Sequence, residues 1–366
     1  MSNRKEGKEG TTLPFPFFER HGAHVILSER AERARAKDLL FASAPLLRYV
    51  SLHMDLVTFG EAMIRFSPPA GQRLEQASTL AATVGGSELN VAVLAARLGL
   101  KSRWVSRLPD NALGRMIAGQ AQELGVDARV EWTADGRVGL YFVETGGARI
   151  SNALYDRAGS AISRVTPGSI DWASLFKDAR WYHVSGITPA LSDGAAQVTA
   201  ESLAAAKRAG LTVSYDLNHR AKLWSAQQAR AVQEPLLQHV DLLIASAEDA
   251  RLIFGAESAA SLAARFNIDA VAITLRDNPC SATIAADGKT YSAPRFNVES
   301  VDPIGGGDAF CGGLIVSRLE GHGWDDAVRF ASATAALKHT IPGDFCLVTR
   351  EEVDQLLRDV SLRVSR

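Results

Sequence analysis

Short apolar runs alternate along this chain with longer segments in which apolar positions recur every three to four residues. The short runs predict strands at Leu56 to Phe59, Ser102 to Ser106, Gly139 to Glu144, Trp181 to Val184, Thr212 to Asp216, Asp241 to Ala245, Ala270 to Leu275 and Ser281 to Ala285. The periodic segments predict helices with readable ends. Ser87 caps a helix whose Val91, Leu94, Ala95 and Leu98 follow i, i+3, i+4, i+7 and which stops at Gly99. Asp110 caps a second, Asn111 to Leu124, ended by Gly125. Further helices are expected at Gly194 to Ala209, Ala226 to Gln238, Ala247 to Phe254, Gly307 to Glu320, Trp324 to His339 and Arg350 to Arg358. Strands alternating with helices of this length imply crossover units: an α/β fold with a mainly parallel sheet and helices on both faces.

One interval breaks the alternation. Arg129 to Trp132, Arg137 to Glu144 and Arg149 to Tyr155 read as successive extended runs, separated by Asp135-Gly136 and Gly146-Gly147. Residues 129–156 are therefore expected to form a small inserted antiparallel sheet, placed to cover a site as a lid; a surface meander without functional contact fits the same pattern.

Composition narrows the class. With 46% hydrophobic and 22% charged residues among 366, the chain is long enough for one large domain or two modest ones and is neither disordered nor collagen-like. Lys and Arg number 40 against 41 Asp and Glu, and this balance supplies no field for nucleic acid or an anionic membrane. No run approaches the ~18 apolar residues of a membrane-spanning helix. Cys280, Cys311 and Cys346 are odd in number and lack His neighbours at ligand spacing, which argues against disulfides or zinc and for a cytoplasmic, reducing setting. Residues 1–53 stand apart: nine Lys/Arg against six Asp/Glu leave 31 against 35 in the remainder. They lack the apolar core of a signal peptide. Met54 opens a good strand, so this stretch is read as a misassigned start or a disordered extension.

Two glycine-rich segments carry candidate chemistry. In Val301-Asp-Pro-Ile-Gly-Gly-Gly-Asp-Ala-Phe310, three glycines precede a small-residue helix. Such a turn lets the backbone approach an anion, and the helix start aims N–H groups and a positive dipole end at it. Asp308 in the first turn then needs a reason to sit beside an anion, and abstraction of a proton is one. Gly305, Gly306 and Gly307 would stabilise a transferring phosphoryl group while Asp308 activates an acceptor hydroxyl. In the second segment, Gly85-Gly86 precedes a helix carrying Asn90, a pairing of backbone N–H and side-chain amide that suits a polyhydroxylated ligand. Each segment alone is also what a structural turn with a helix cap looks like. No G-x-x-x-x-G-K-[ST] is present, and no G-x-G-x-x-G opens the first helix, so P-loop and dinucleotide sites are not expected.

Together, the two segments resemble the signature regions of the PfkB, or ribokinase-like, carbohydrate kinase family. Phe59-Gly-Glu-Ala-Met63, Ser185-Gly-Ile-Thr-Pro-Ala190, Asp216-Leu-Asn-His-Arg-Ala-Lys-Leu-Trp224 and Ala336-Leu-Lys-His-Thr-Ile-Pro-Gly-Asp344 look most like its 2-keto-3-deoxygluconate kinases. The resemblance spans residues 54–357 and leaves 358–366 as a C-terminal tail. It implies a cytoplasmic enzyme that uses ATP and Mg²⁺ to phosphorylate the C6 hydroxyl of 2-keto-3-deoxygluconate. Asp308 would be the general base and Gly305, Gly306 and Gly307 the anion hole. Gly86, Asn90, Tyr141, Tyr155 and Asp344 would hold the sugar, and Arg157 and Arg220 its carboxylate, a task suited to a guanidinium fork. Ser246, Thr274, Leu275 and Arg276 would lie along the ATP site, and a homodimer through the lid sheet is implied as well. The chain departs from the family where Asn-x-x-Glu is common and Ser246-Ala-Glu-Asp249 stands instead, so Asp249 or Glu248 is expected to reach Mg²⁺ through water. Two rival readings are a kinase for a neutral sugar such as fructose or ribose and a non-catalytic sugar or nucleotide sensor.

Overall fold

Thirteen strands and ten α-helices carry the fold in the computed structural model, which describes residues 53–145, 152–275 and 281–364. The strands are β1 (Met54–Phe59), β2 (Met63–Ser67), β3 (Ala81–Gly85), β4 (Ser102–Pro109), β5 (Asp127–Thr133), β6 (Gly139–Glu144), β7 (Asn152–Asp156), β8 (Ala179–Ser185), β9 (Thr212–Asp216), β10 (Leu242–Ser246), β11 (Ala270–Leu275), β12 (Ser281–Ala286) and β13 (Lys289–Ser292). The helices are α1 (Ser87–Arg97), α2 (Ala112–Glu123), α3 (Trp172–Phe176), α4 (Asp193–Arg208), α5 (Ala226–Gln233), α6 (Ala247–Phe254), α7 (Ala259–Phe266), α8 (Gly306–Leu319), α9 (Trp324–Lys338) and α10 (Arg350–Val364). The stretch read as an extension or misassigned start lies outside the described residues, apart from His53. The expected tail from 358 continues α10 as far as Val364.

Nine strands form one sheet in the order β13-β12-β11-β10-β9-β8-β1-β4-β5, parallel except where β12 and β13 close one edge as an antiparallel hairpin. Its central strands are apolar on both sides because both sides are covered. Val57, Val184, Val213, Leu243 and Val271 point into one core with Val198, Leu203 and Ala206 of α4. Their neighbours Leu56, Leu242, Ile244 and Ala270 point into the opposite core with Val91 and Leu94 of α1 and with α8 and α9. The two-residue period of a strand thus feeds two helical layers. Glycines set the close approach within one of them: a Cβ on Gly312 would stand 2.8 Å from Leu94, and one on Gly313 3.0 Å from the Ala331 backbone.

The second sheet has the order β3-β2-β6-β7. Here the sequence expectation needs correction. Residues 129–132, assigned above to the inserted sheet, belong to β5, which pairs parallel with β4 at the edge of the large sheet. The smaller sheet draws β2 and β3 from far upstream, and β2 runs parallel to β6, so it is mixed rather than antiparallel. β5 reads like its lid neighbours because an edge strand is only half covered, and half-covered strands alternate in the same way wherever they pair.

Two caps also differ. Asn111, not Asp110, caps α2, its Oδ1 accepting from the N–H groups of Leu113 and Gly114 at 3.0 Å, while Asp110 pairs with exposed Arg115. Gly86 is the cap position of α1, which frees the Ser87 hydroxyl for another partner. Replacing Asn111 with Ala is expected to cost about 1 kcal/mol in urea unfolding and Asp110→Ala a few tenths; the reverse order would return the cap to Asp110.

Candidate active site

The C-terminal ends of the parallel strands and the first turns of α1 and α8 converge at one edge of the large sheet, the usual place for a site in such folds. Gly305 starts α8 with φ 85°, in the left-handed region that favours glycine, and a side chain there would overlap the Asp344 carbonyl. The N–H of Gly306 donates to Pro303 O at 3.2 Å, so the turn itself engages one of the three expected anion-hole donors. Gly307 faces open space, and helix geometry directs the first-turn N–H groups there out of the helix end.

Asp308 sits on the next position, half-buried, with both carboxylate oxygens held from α1: Ser87 Oγ donates to Oδ1 at 2.7 Å and Asn90 Nδ2 to Oδ2 at 2.6 Å. Asn90 in turn accepts from the Gly86 N–H at 3.2 Å. A side chain on Gly86 would overlap the Glu61 carbonyl, so this glycine is needed for close approach of two backbones. Burial raises the Asp308 carboxyl above its usual range, while the bonds from Ser87 and Asn90 and the charge of Arg220 pull the other way. Asp216, at the end of β9, is pushed up to about 8 by burial first and then by the charges of Asp308 and Asp249. Cys311 is buried against it, and burial pushes its thiol up, as befits a core residue rather than a reactive one.

A second group of charges lies on the smaller sheet's side. Arg65 of β2 is buried and bridges two carboxylates, Nη2 to Asp302 at 2.7 Å and Nη1 to Asp344 at 2.9 Å. Asp344 and the Tyr141 hydroxyl crowd Gly85, where a side chain would overlap both. Tyr141 is paired with Tyr155 across β6 and β7, their rings stacked at 5.7 Å. Arg157 lies 5.8 Å from the Tyr155 ring, but its Nη2 is bonded to buried Glu61, so its guanidinium is engaged within the protein. Arg220 is half-buried with Nη1 on the His219 carbonyl at 3.2 Å, and its charge reaches both Asp216 and Asp308.

Toward the other side, Ser246 and Thr274 are opposite each other across β10 and β11. Ser246 Oγ caps α6 by accepting from the Asp249 N–H at 3.0 Å, and Leu275 follows, half-buried. Arg276 lies outside the described residues. Of the two acids proposed for the metal, Asp249 is buried and acts on Asp216, whereas Glu248 is exposed.

Residues 54–344 match the pfkB family carbohydrate kinase pattern. The chain belongs to that family. The 2-dehydro-3-deoxygalactonokinase of Haloferax volcanii is 40% identical to this kinase over 85% of this chain and 99% of its own. The 2-dehydro-3-deoxygluconokinase of Bacillus subtilis is 31% identical over 84% and 96%. The crystal structure of 2-dehydro-3-deoxygluconokinase from Thermotoga maritima superimposes with a TM-score of 0.81 at 37% identity, covering 84% of this chain and 98% of that one. The fold is accordingly ribokinase-like, and the protein is a sugar kinase with ATP as its phosphoryl donor. Among the described residues no helix is long and apolar enough to cross a membrane.

Arg65, Glu61 and Asp216 have no role in the sequence reading and Ser87 only that of a helix cap, yet the fold brings all four to the site. A charged residue inside an apolar run, as in Met63-Ile-Arg-Phe66 and Phe59-Gly-Glu-Ala62, was the available signal. Glu88, in the first turn of α1, is another such residue. It is buried, and its Oε1 accepts from Ser185 N, Ser185 Oγ and Thr188 Oγ1 at 2.7 to 2.9 Å. Its Oε2 has no hydrogen-bond partner among the described residues, and burial raises the carboxyl to about 7. Between the ordinary carboxylate range and pH 7 the folded protein therefore holds a proton that the unfolded chain has lost, so stability falls as pH rises through that window. Glu88→Gln should shrink the loss of unfolding free energy between pH 5 and pH 8 by about 3 kcal/mol; an undiminished loss in urea titrations would rule out this account of Glu88.

Proposed function

We propose that this kinase transfers the γ-phosphoryl group of ATP to the C6 hydroxyl of 2-keto-3-deoxygluconate, with Asp308 as general base. The observation that carries the reading is the placement of Asp308 in the first turn of α8, both oxygens anchored by Ser87 and Asn90, next to Gly307, which faces open space. Anchoring fixes the carboxylate's orientation before substrate arrives. The raised proton affinity of the buried carboxyl strengthens it as an acceptor of the hydroxyl proton. N–H groups at the start of α8 and the helix dipole stabilise charge on the transferring group.

On the sugar side, Asn90, Tyr141, Tyr155 and Asp344 present amide, hydroxyl and carboxylate groups for the polyol. Arg220 is the cation we assign to the substrate's carboxylate, because Arg157 is already paired with Glu61. Mg²⁺ suits the donor set at the ends of β9 and β10: Asp216, raised to about 8 by burial first and then by the charges of Asp308 and Asp249, stands with Asp249 in a cluster of acids whose mutual repulsion a cation would relieve. Asp249 and Asp216 would hold it, and when bound with the nucleotide it would neutralise phosphate charge.

The C4 epimer, 2-keto-3-deoxygalactonate, is a second reading, favoured by the name of the Haloferax volcanii relative. ADP release with Mg-ATP against both keto-deoxy acids, fructose and ribose separates these readings. A preference for the gluconate acid is expected, a preference for the galactonate acid installs the second reading, and turnover of neutral sugars alone overturns both. ATP binding without turnover on any acceptor would favour a sensor. Asp308→Asn is expected to fold and bind sugar but lose roughly 100- to 10,000-fold in kcat; kcat near that of the unsubstituted enzyme would remove Asp308 from the base role.

A further inference from the structure

Directly beneath the glycine turn lies a lysine that the reading above does not use. Lys338, the last residue of α9, is 0% exposed, and its Nζ donates to two backbone carbonyls, Asp302 O at 3.1 Å and Ile341 O at 3.0 Å. These carbonyls belong to the two segments that shape the start of α8. One, 301–305, leads into the turn, and the other, 339–344, packs against it, so that a Cβ on Gly305 would stand 3.2 Å from Lys338 Cε. The same two segments are joined by Asp302 Oδ2 accepting from the Gly343 N–H at 3.0 Å, and by Asp302 N–H donating to His339 O at 3.0 Å.

The charges balance only when Lys338 is counted. Asp302 and Asp344 are buried carboxylates, Arg65 bridges them, and Lys338 is the second cation in their field. Replacing it with a neutral side chain leaves a buried net negative charge beside the place where a phosphoryl group must arrive, and an uncompensated buried charge is strongly destabilising. Two carbonyl oxygens facing a space vacated by an ammonium group, in a negative field, are suitable ligands for a small monovalent cation.

We propose that Lys338 is a built-in monovalent cation: its ammonium group clamps the 302 and 341 carbonyls and supplies the positive charge under the phosphoryl-transfer turn, so the kinase needs no added potassium or ammonium ion. Lys338 is thus a positioning residue acting through Gly305 to Gly307, and the inference rests on the reading of that turn as the phosphoryl site.

The test begins with the unsubstituted full-length enzyme. At constant ionic strength, with choline chloride replaced stepwise by potassium or ammonium chloride, turnover is expected to stay flat; a severalfold activation would overturn the proposal. Lys338→Met keeps most of the side chain's volume without its charge and is expected to lower kcat about 100-fold; unchanged kcat would again overturn it. Lys338→Ala opens the space, and ammonium or potassium, but not choline, should restore about tenfold of the lost kcat. The same ions should raise the melting temperature of Lys338→Ala and leave the unsubstituted protein unmoved. A folded Lys338→Ala protein indifferent to both ions in both measurements would show that the lysine is only a packing element. The melting readout needs no sugar, so a wrong choice of acceptor and a wrong role for Lys338 give different results. Should Lys338→Ala fail to fold, the ion titration of the unsubstituted enzyme and Lys338→Met still decide.

Discussion

The meeting of two helix N-termini is the constraint on which this site depends. α1 and α8 both begin at the same sheet edge, so their positive dipole ends face the same space and would repel without negative charge between them. Asp308 supplies that charge from one helix, and Ser87 and Asn90 grip it from the other. Along the same contact Gly312 of α8 lets α1 approach at Leu94, while Gly86 and Gly305 at the two helix starts make room for the Glu61 and Asp344 carbonyls. The carboxylate is at once the electrostatic link between two layers of the fold and the group best placed to accept a proton. In the proposed mechanism, catalytic position and structural role are therefore one arrangement.

Around this contact the protein buries several charged side chains and handles them in three ways. Arg65 with Asp302 and Asp344, and Arg157 with Glu61, are internal pairs in which each charge offsets the desolvation of the other. Glu88 has no counter-ion among the described residues and instead takes up a proton near neutrality, its hydrogen bonds from Ser185 and Thr188 notwithstanding. Asp216 is raised to about 8 by its burial first and by the like charges of Asp308 and Asp249 second. The carboxylates on the smaller sheet's side are paired with arginines, while Asp216 and Asp249 at the ends of β9 and β10 face like charge.

What could be read from the chain follows from how local each signal is. The parallel strands β1, β8, β9, β10 and β11 are legible because burial on both faces makes them continuous apolar runs. Most helices are legible from their period and stops, although the cap of α2 falls one residue from the expected position because neighbouring Asp110 and Asn111 are both good caps by composition. β2 and β3 escaped because a charged arginine interrupts the first and two exposed residues open the second. β5 was recognised as a strand but given to the wrong sheet, since alternation identifies a half-covered strand without naming its partner.

The glycine turn with Asp308, the Gly85-Gly86 segment and the family that both define were determined by the sequence alone. They depend on residue type at close spacing, and a few consecutive peptide units dictate what such a turn can do. Tertiary structure alone decided which distant groups surround them. Ser87 became a partner of Asp308 at a separation of 221 residues, Arg65 joined Asp344 across 279, and Arg157 was turned inward by Glu61 across 96. Those partnerships are set by strand order and helix approach, which bring together residues whose neighbours in the chain carry no record of the contact, and a buried charge selects its counter-ion by distance in space.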